Sequence, residues 1–286
     1  VEFSNEVWNW QFQQAHWANE MAQKRWDTDN AWVQYYALRA SEVAQIWAEV
    51  YGAADRARLV NVISTQTGWI GLEGFILDPP LLAEERPEAP KPASHFDAYA
   101  ITGYFGGALG NQDRAPMIRQ WLADSLAVAE AAAADKGLAD AERDAYVEAH
   151  KYDAASALAW AELRDGLGSG DDSGTMSWML GTVFPHHAGI AKTWGLDLIM
   201  YEGGTHVVGL GPMVDQDDLT AFFTHLNYTP EMAALYTELI NGWQAAGGSL
   251  FNVFADVAVP SKWGSWGALR HLFDDNPRWA AIKAFQ

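Results

Sequence analysis

Two glutamates stand at the ends of strand-like runs, and their placement is the first sign of chemistry in this chain. Glu6 closes an alternating run over residues 1–6, and Glu202 closes an apolar run over 197–202 before Gly203 and Gly204. Two carboxylates delivered from the C-terminal ends of different parallel strands are what glycosidic bond cleavage requires. One protonates the leaving oxygen, and the other attacks or stabilises the anomeric carbon. The proton donor of such a pair needs apolar surroundings, and beside Glu6 Trp8 and Trp10 are at hand, while the attacking member must stay ionised.

Other side chains cluster after strand-like runs in the same way. Asn5 is placed to hydrogen-bond a sugar hydroxyl or to cap its strand. Gln66 and Trp69 follow the run 58–64, and Tyr104 follows the run 98–102, where its hydroxyl could orient Glu202. His206 lies just past Glu202, and Trp263 and Trp266 follow the run 249–255. Together with Trp8 these are the candidate substrate-binding residues. His186 and His187 invite a metal, but adjacent helical positions diverge and no third ligand is evident in the sequence, so no metal and no cofactor are expected. Neither a phosphate-cradling glycine loop nor a Gly-x-Ser-x-Gly elbow is present.

The elements that would position these residues alternate. Strands are expected at 1–6, 58–64, 98–102, 196–201 and 249–255, with helical runs between them. Trp32, Tyr35, Tyr36, Arg39, Val43, Ile46, Trp47 and Val50 recur at helical spacing within 28–50, and Gly52 ends that run. Residues 72–93 read as an irregular loop. Residues 107–193 read as a mainly helical insertion, with a flexible joint at 168–172 and a helix over 175–193 interrupted at Pro185. Helices are expected at 217–226 and 230–245, the latter capped by Thr229 with Pro230 at its first position. A closing helix is expected over 276–285. Strand–helix alternation of this kind marks parallel βα units.

Composition narrows the partners. Eighteen basic against 37 acidic side chains give a formal charge of −19, which repels nucleic acid and anionic membranes but not a neutral polymer. There is no cysteine, so disulfides and thiolate metal sites are excluded. No apolar run is long enough to span a bilayer, and no signal peptide is visible. Fifteen tryptophans are more than core packing ordinarily uses, and sugar rings stack on flat aromatic faces.

The segment 4–9, Ser-Asn-Glu-Val-Trp-Asn, resembles the end of the fourth strand in the large (β/α)₈ clan of retaining glycoside hydrolases that includes cellulases, mannanases, xylanases and agarases. The segment 201–204, Tyr-Glu-Gly-Gly, resembles the end of that clan's seventh strand. The resemblance implies a TIM barrel with strands 4–8 in this chain and the helical insertion after the sixth. It implies Asn5 as a substrate-binding amide, Glu6 as acid/base and Glu202 as nucleophile. It also implies that Trp263 or Trp266 floors the sugar subsite while the other packs. Residues 1–286 are then one barrel-type catalytic domain or its C-terminal part. Because five parallel strands cannot close a barrel, an N-terminal segment or second chain is expected to complete it. The expected partner is a polysaccharide or oligosaccharide, and the expected location is secreted or periplasmic. A non-catalytic carbohydrate-binding protein on the same scaffold is the main alternative. A structural subunit, or another barrel enzyme using one glutamate as a base, also fits these features.

Overall fold

Four short parallel strands run in sequence order through the molecule: β1 (Val62–Ser64), β2 (Ala98–Phe105), β3 (Asp197–Thr205) and β4 (Leu250–Val253), each beside the next. In this computed structural model, which describes residues 1–285, Val62, Ile63 and Ser64 pair with Ala98, Tyr99 and Ala100. Parallel neighbours need long crossovers, and the helices supply them. They are α1 (Gln13–Trp26), α2 (Trp32–Asp55), α3 (Gly74–Leu77), α4 (Pro80–Glu85), α5 (Ala115–Asp135), α6 (Asp140–His150), α7 (Asp153–Asp165), α8 (Met176–Trp178), α9 (Phe184–Trp194), α10 (Asp217–Leu226), α11 (Pro230–Ala245) and α12 (Pro277–Lys283). No helix among the described residues is long and apolar enough to cross a membrane.

Several expectations are corrected. The run 1–6 is not a strand: only Glu2 bridges Val62, and Ser4 and Glu6 take left-handed φ values of 64° and 44°, so the chain turns there. The run 58–64 forms a strand only from Val62, because Arg56–Arg58 is a 3₁₀ turn. Residues 72–93 contain α3, α4 and a 3₁₀ turn instead of an irregular loop. Pro185 sits in the first turn of α9, where a missing N–H costs nothing, and the interruption is a π-helical turn at Met179–Val183 just before it. The joint at 168–172 is fastened. Glu162, itself buried, accepts from the amides of Gly168 (2.8 Å) and Ser169 (2.9 Å), and Arg114 pairs with Asp171 at 2.7 Å. The helices at 217–226 and 230–245 have the expected bounds, and the Thr229 hydroxyl accepts from Met232 N.

The chain divides into two compact units. The first comprises Val1–Thr102, Val183–Tyr201 and Gln244–Asn252. Here α1 buries only alanines, Ala15, Ala18 and Ala22, one per turn, which lets it lie close on α2. Helix α2 is buried through its first half and breaks at Gly52, whose φ of 64° and ψ of 175° are non-helical. The second unit comprises Gly103–Thr182, Glu202–Trp243 and Val253–Gln286. Its core is aromatic: Phe105, Phe222, Tyr236 and Trp243 are almost wholly buried, with Leu235 and Leu239 from α11. Helices α6 and α7 pack on α5.

Candidate functional site

In the first unit the chain turns sharply through Ser4–Glu6, and this turn presents the Glu6 carboxylate. Its Oε2 accepts from the Asn9 side-chain amide at 2.9 Å, and its Oε1 accepts a long hydrogen bond from the Tyr201 hydroxyl at 3.4 Å. Asn9 N closes the turn on Glu6 O at 2.8 Å. Val7 and Trp8 anchor the turn from below. Trp8 is only 8% exposed, edge-on to Tyr36, so it is packing and not a substrate contact as expected. Asn5 is exposed, and its carbonyl is taken by Gln14 Nε2 at 2.6 Å. A third carboxyl, passed over in the sequence, lies nearby in the chain. Glu2 Oε1 accepts from Ser64 Oγ at 2.5 Å at the end of β1. Glu2 is exposed as a residue, but desolvation of its carboxyl end raises its pKa above the usual carboxylate range.

Gln66 and Trp69 both lie exposed on the loop after β1, and that loop is held from behind. The Thr67 hydroxyl accepts from Thr102 N at 2.7 Å and pairs with Thr102 Oγ1 at 2.8 Å. The Thr67 carbonyl accepts from His187 Nε2 at 2.9 Å, which fixes the tautomer: His187 Nδ1 accepts from the Tyr99 hydroxyl at 2.8 Å. His187 is fully buried, and desolvation lowers its pKa below the usual histidine value. Beside it Glu73, 3% exposed, takes His186 Nε2 on one oxygen (2.7 Å) and Gly71 N on the other (2.9 Å).

Glu73, His186 and His187 thus bring three ligand-capable atoms within 4.8 Å of one another. The third partner missing from the sequence reading comes from 113 residues away. Yet both nitrogens of His187 are already engaged with protein groups, so a metal would have to displace a bond to Tyr99 or Thr67. As built, the cluster is a hydrogen-bonded anchor for the loop bearing Gln66 and Trp69.

Strand β3 does not stop at Glu202. It runs to Thr205, so Glu202 is a half-buried residue inside a strand and not its last one. The strand is irregular at this point. Leu198 O accepts from Ser249 N at 3.0 Å and Gly203 O from Phe254 N at 3.1 Å. In an unbroken strand only every second carbonyl faces a given neighbour. These two are five residues apart, so the pleat is interrupted between them. Towards β2 the acceptors Asp97 O and Phe105 O lie eight residues apart, while their donors Asp197 N and His206 N lie nine apart. Tyr201 and Glu202 fall inside the interrupted stretch. The rule that consecutive side chains leave on opposite faces does not bind them there.

Beyond these strand ends the second unit gathers an aromatic floor. Tyr104 and Trp266 meet each other, and each meets His206 and Phe254, all edge to face, with ring centroids 5.2–6.3 Å apart. Of the two candidate tryptophans, Trp266 joins this group, and Trp263 is 65% exposed under Lys262. Trp266 is locked by its Nε1–H on Trp263 O at 2.9 Å, and Gly264 packs against its ring so closely that a Cβ would collide at 2.5 Å. Phe254 was not singled out in the sequence. Burial lowers the His206 pKa, and its buried Nδ1 has no partner among the described residues.

The loop carrying Trp266 is held by a cation. Arg278 of α12 is fully buried and donates to the carbonyls on either side of Trp266, those of Ser265 (3.0 Å) and Gly267. Its guanidinium lies over Tyr228 at 4.5 Å and near Tyr236 at 5.7 Å, and it forms no ion pair with a carboxylate among the described residues. Asn276 adds a bond to Ala268 O at 3.0 Å. Comparison of the chain with protein-family models, with curated protein sequences and with solved structures finds no match in any of the three.

Proposed function

We propose that this protein is a glycoside hydrolase that cleaves a polysaccharide with retention, on a scaffold whose parallel strands belong to a (β/α)₈ barrel. The observation that carries the reading is the grip on Glu6. A carboxyl group oriented by a side-chain amide at 2.9 Å, with a tyrosyl hydroxyl at 3.4 Å, is positioned for proton transfer, and the tyrosine is the residue before Glu202. The interrupted pleat around Tyr201 and Glu202 supports it, because an irregularity within a strand is where a fold re-aims a side chain towards chemistry. The aromatic floor of Tyr104, His206, Phe254 and Trp266 supports a sugar as substrate.

In this mechanism the Glu202 carboxylate forms a bond to the anomeric carbon as the glycosidic C–O bond breaks. The Glu6 proton goes to the departing oxygen. Water then attacks the glycosyl-enzyme ester, its proton passes to Glu6, and Glu202 leaves as carboxylate. Two inversions give retention. The test is proton NMR of the first-formed product from a panel of β-linked polysaccharides. The reading expects the substrate's own anomer to appear first. Appearance of the opposite anomer would replace double displacement by direct attack of water.

A second reading, binding without cleavage, is favoured by the aromatic floor alone, which needs neither carboxylate. It expects polymer binding that is indifferent to Glu6→Gln and no product from any bound polymer.

A further inference from the structure

We propose that Trp10, Trp32 and Trp69 form a sugar-binding platform of their own on the first unit, able to take pyranose rings of an oligosaccharide whether or not the carboxylates act. Trp10 and Trp69 are 42% and 52% exposed, and both lean on Trp32, which is 6% exposed. The centroids of Trp10 and Trp32 are 5.2 Å apart at 54°, and those of Trp32 and Trp69 are 6.1 Å apart at 50°. Tilted contacts of this kind leave broad ring faces uncovered instead of stacking them on one another.

The exposed rings are held firmly. Trp10 is fixed by His16, whose Nε2 donates to Trp10 O at 2.9 Å while its ring lies edge-on at 5.2 Å. Trp69 N donates to Gln66 Oε1 at 2.5 Å, and the same loop is fastened through Thr67 to His187 and Thr102. Large aromatic rings kept rigid and half in water are suited to binding, since little freedom is lost when a ligand arrives. An independent feature points the same way. The Nε1–H of Trp32 is covered from solvent and has no acceptor among the described residues. A buried indole donor ordinarily finds a partner, and this one, in the ring that joins the two exposed indoles, is left for a ligand hydroxyl that uncovers it on binding. The flat faces and the single donor fit a pyranose better than an apolar chain or an anion. The charge of −19 disfavours the anion further. The choice of ligand class rests on the hydrolase reading; the platform rests on the rings.

The experiment is fluorine NMR of the full chain labelled with 5-fluorotryptophan. The Trp10 and Trp69 signals are assigned through Trp10→Phe and Trp69→Phe, and the probes are cellohexaose, xylohexaose and neoagarohexaose. At least one probe is expected to move both signals, equally in wild type and in Glu202→Gln. Trp69→Ala is expected to weaken that binding at least tenfold with thermal unfolding little changed, and Trp32→Phe several-fold. Silence of both signals with all three probes overturns the platform, as does unaltered affinity in Trp69→Ala. Movement of the signals in a protein that cleaves no polymer leaves the platform standing and sinks the hydrolase. Cleavage with silent signals does the reverse.

Discussion

In the first unit the loop of Gln66 and Trp69 is fastened by a neutral imidazole between a hydroxyl and a carbonyl, beside a glutamate bonded on both oxygens. In the second unit the loop of Trp266 is fastened by a whole positive charge on Arg278, held by carbonyls and aromatic faces with no carboxylate partner among the described residues. Both anchors place a tryptophan from behind, yet they respond differently to disturbance. The neutral anchor can lose a proton-linked contact and answers to pH. The cationic anchor holds its loop through one side chain, and one of its carbonyl partners, Gly267 O, also accepts from the Tyr228 hydroxyl at 3.2 Å.

The largest expected effect comes from Arg278→Met. The Ser265 and Gly267 carbonyls lose charge-assisted hydrogen bonds worth about 1.5–3 kcal/mol each, although Gly267 O keeps the Tyr228 hydroxyl. Thermal unfolding should shift down by about 10 °C in a chain of this size. His187→Phe should cost less, about 2 kcal/mol, for the hydroxyl of Tyr99 and the carbonyl of Thr67 left without it. Urea unfolding of the two variants ranks them, and a larger loss for His187→Phe would break the comparison.

The pH dependence sharpens it. Burial holds the pKa of His187 below the usual value, so the folded protein resists a proton that the unfolded chain takes near pH 6.5. The contribution is intact above about pH 6.5 and is lost as pH falls from there towards the folded value. His206, His225 and His95 are shifted the same way by burial, so His187→Phe should flatten the slope of stability against pH without abolishing it. Arg278→Lys should leave that slope as it is. Unfolding titrations at pH 5 and pH 8 read both.

Smaller effects concern the site itself. Tyr201→Phe removes the hydroxyl on Glu6 and should slow turnover roughly tenfold, as loss of one positioning hydrogen bond of 1–1.5 kcal/mol does. Thermal unfolding should be unmoved. The smallest is zinc, which should leave the melting temperature unchanged because His187 has no nitrogen to give. A zinc-dependent rise of several degrees would turn the neutral anchor into a metal centre.

What could be read in the sequence was what local chemistry dictates. Helices α10 and α11 have the expected bounds because an acidic first turn and a Thr229–Pro230 start are local signals. Tyr104, His206 and Trp266 were legible as residues near strand ends, and the structure brings them together, although Tyr104 lies inside β2 and not after it. Helices of four and six residues in 72–93 are too short to show a period. The pairing of Glu73 with His186 spans 113 residues and leaves no local trace. Gly203 and Gly204 read as a strand stop, but hydrogen bonds from neighbouring strands carry β3 through them. Arg278 looks like any surface arginine on a helix, and only the carbonyls around it reveal its burial.

The central claim is that Glu202 does chemistry together with Glu6. The most direct measurement is release of reducing ends from a panel of β-linked polysaccharides by wild type and Glu202→Gln side by side, with thermal unfolding as the control for folding. The account expects release by wild type on at least one polymer and its loss by several orders of magnitude in an equally folded Glu202→Gln. Release that is unchanged in the variant, or absent from wild type on polymers it binds, would contradict it.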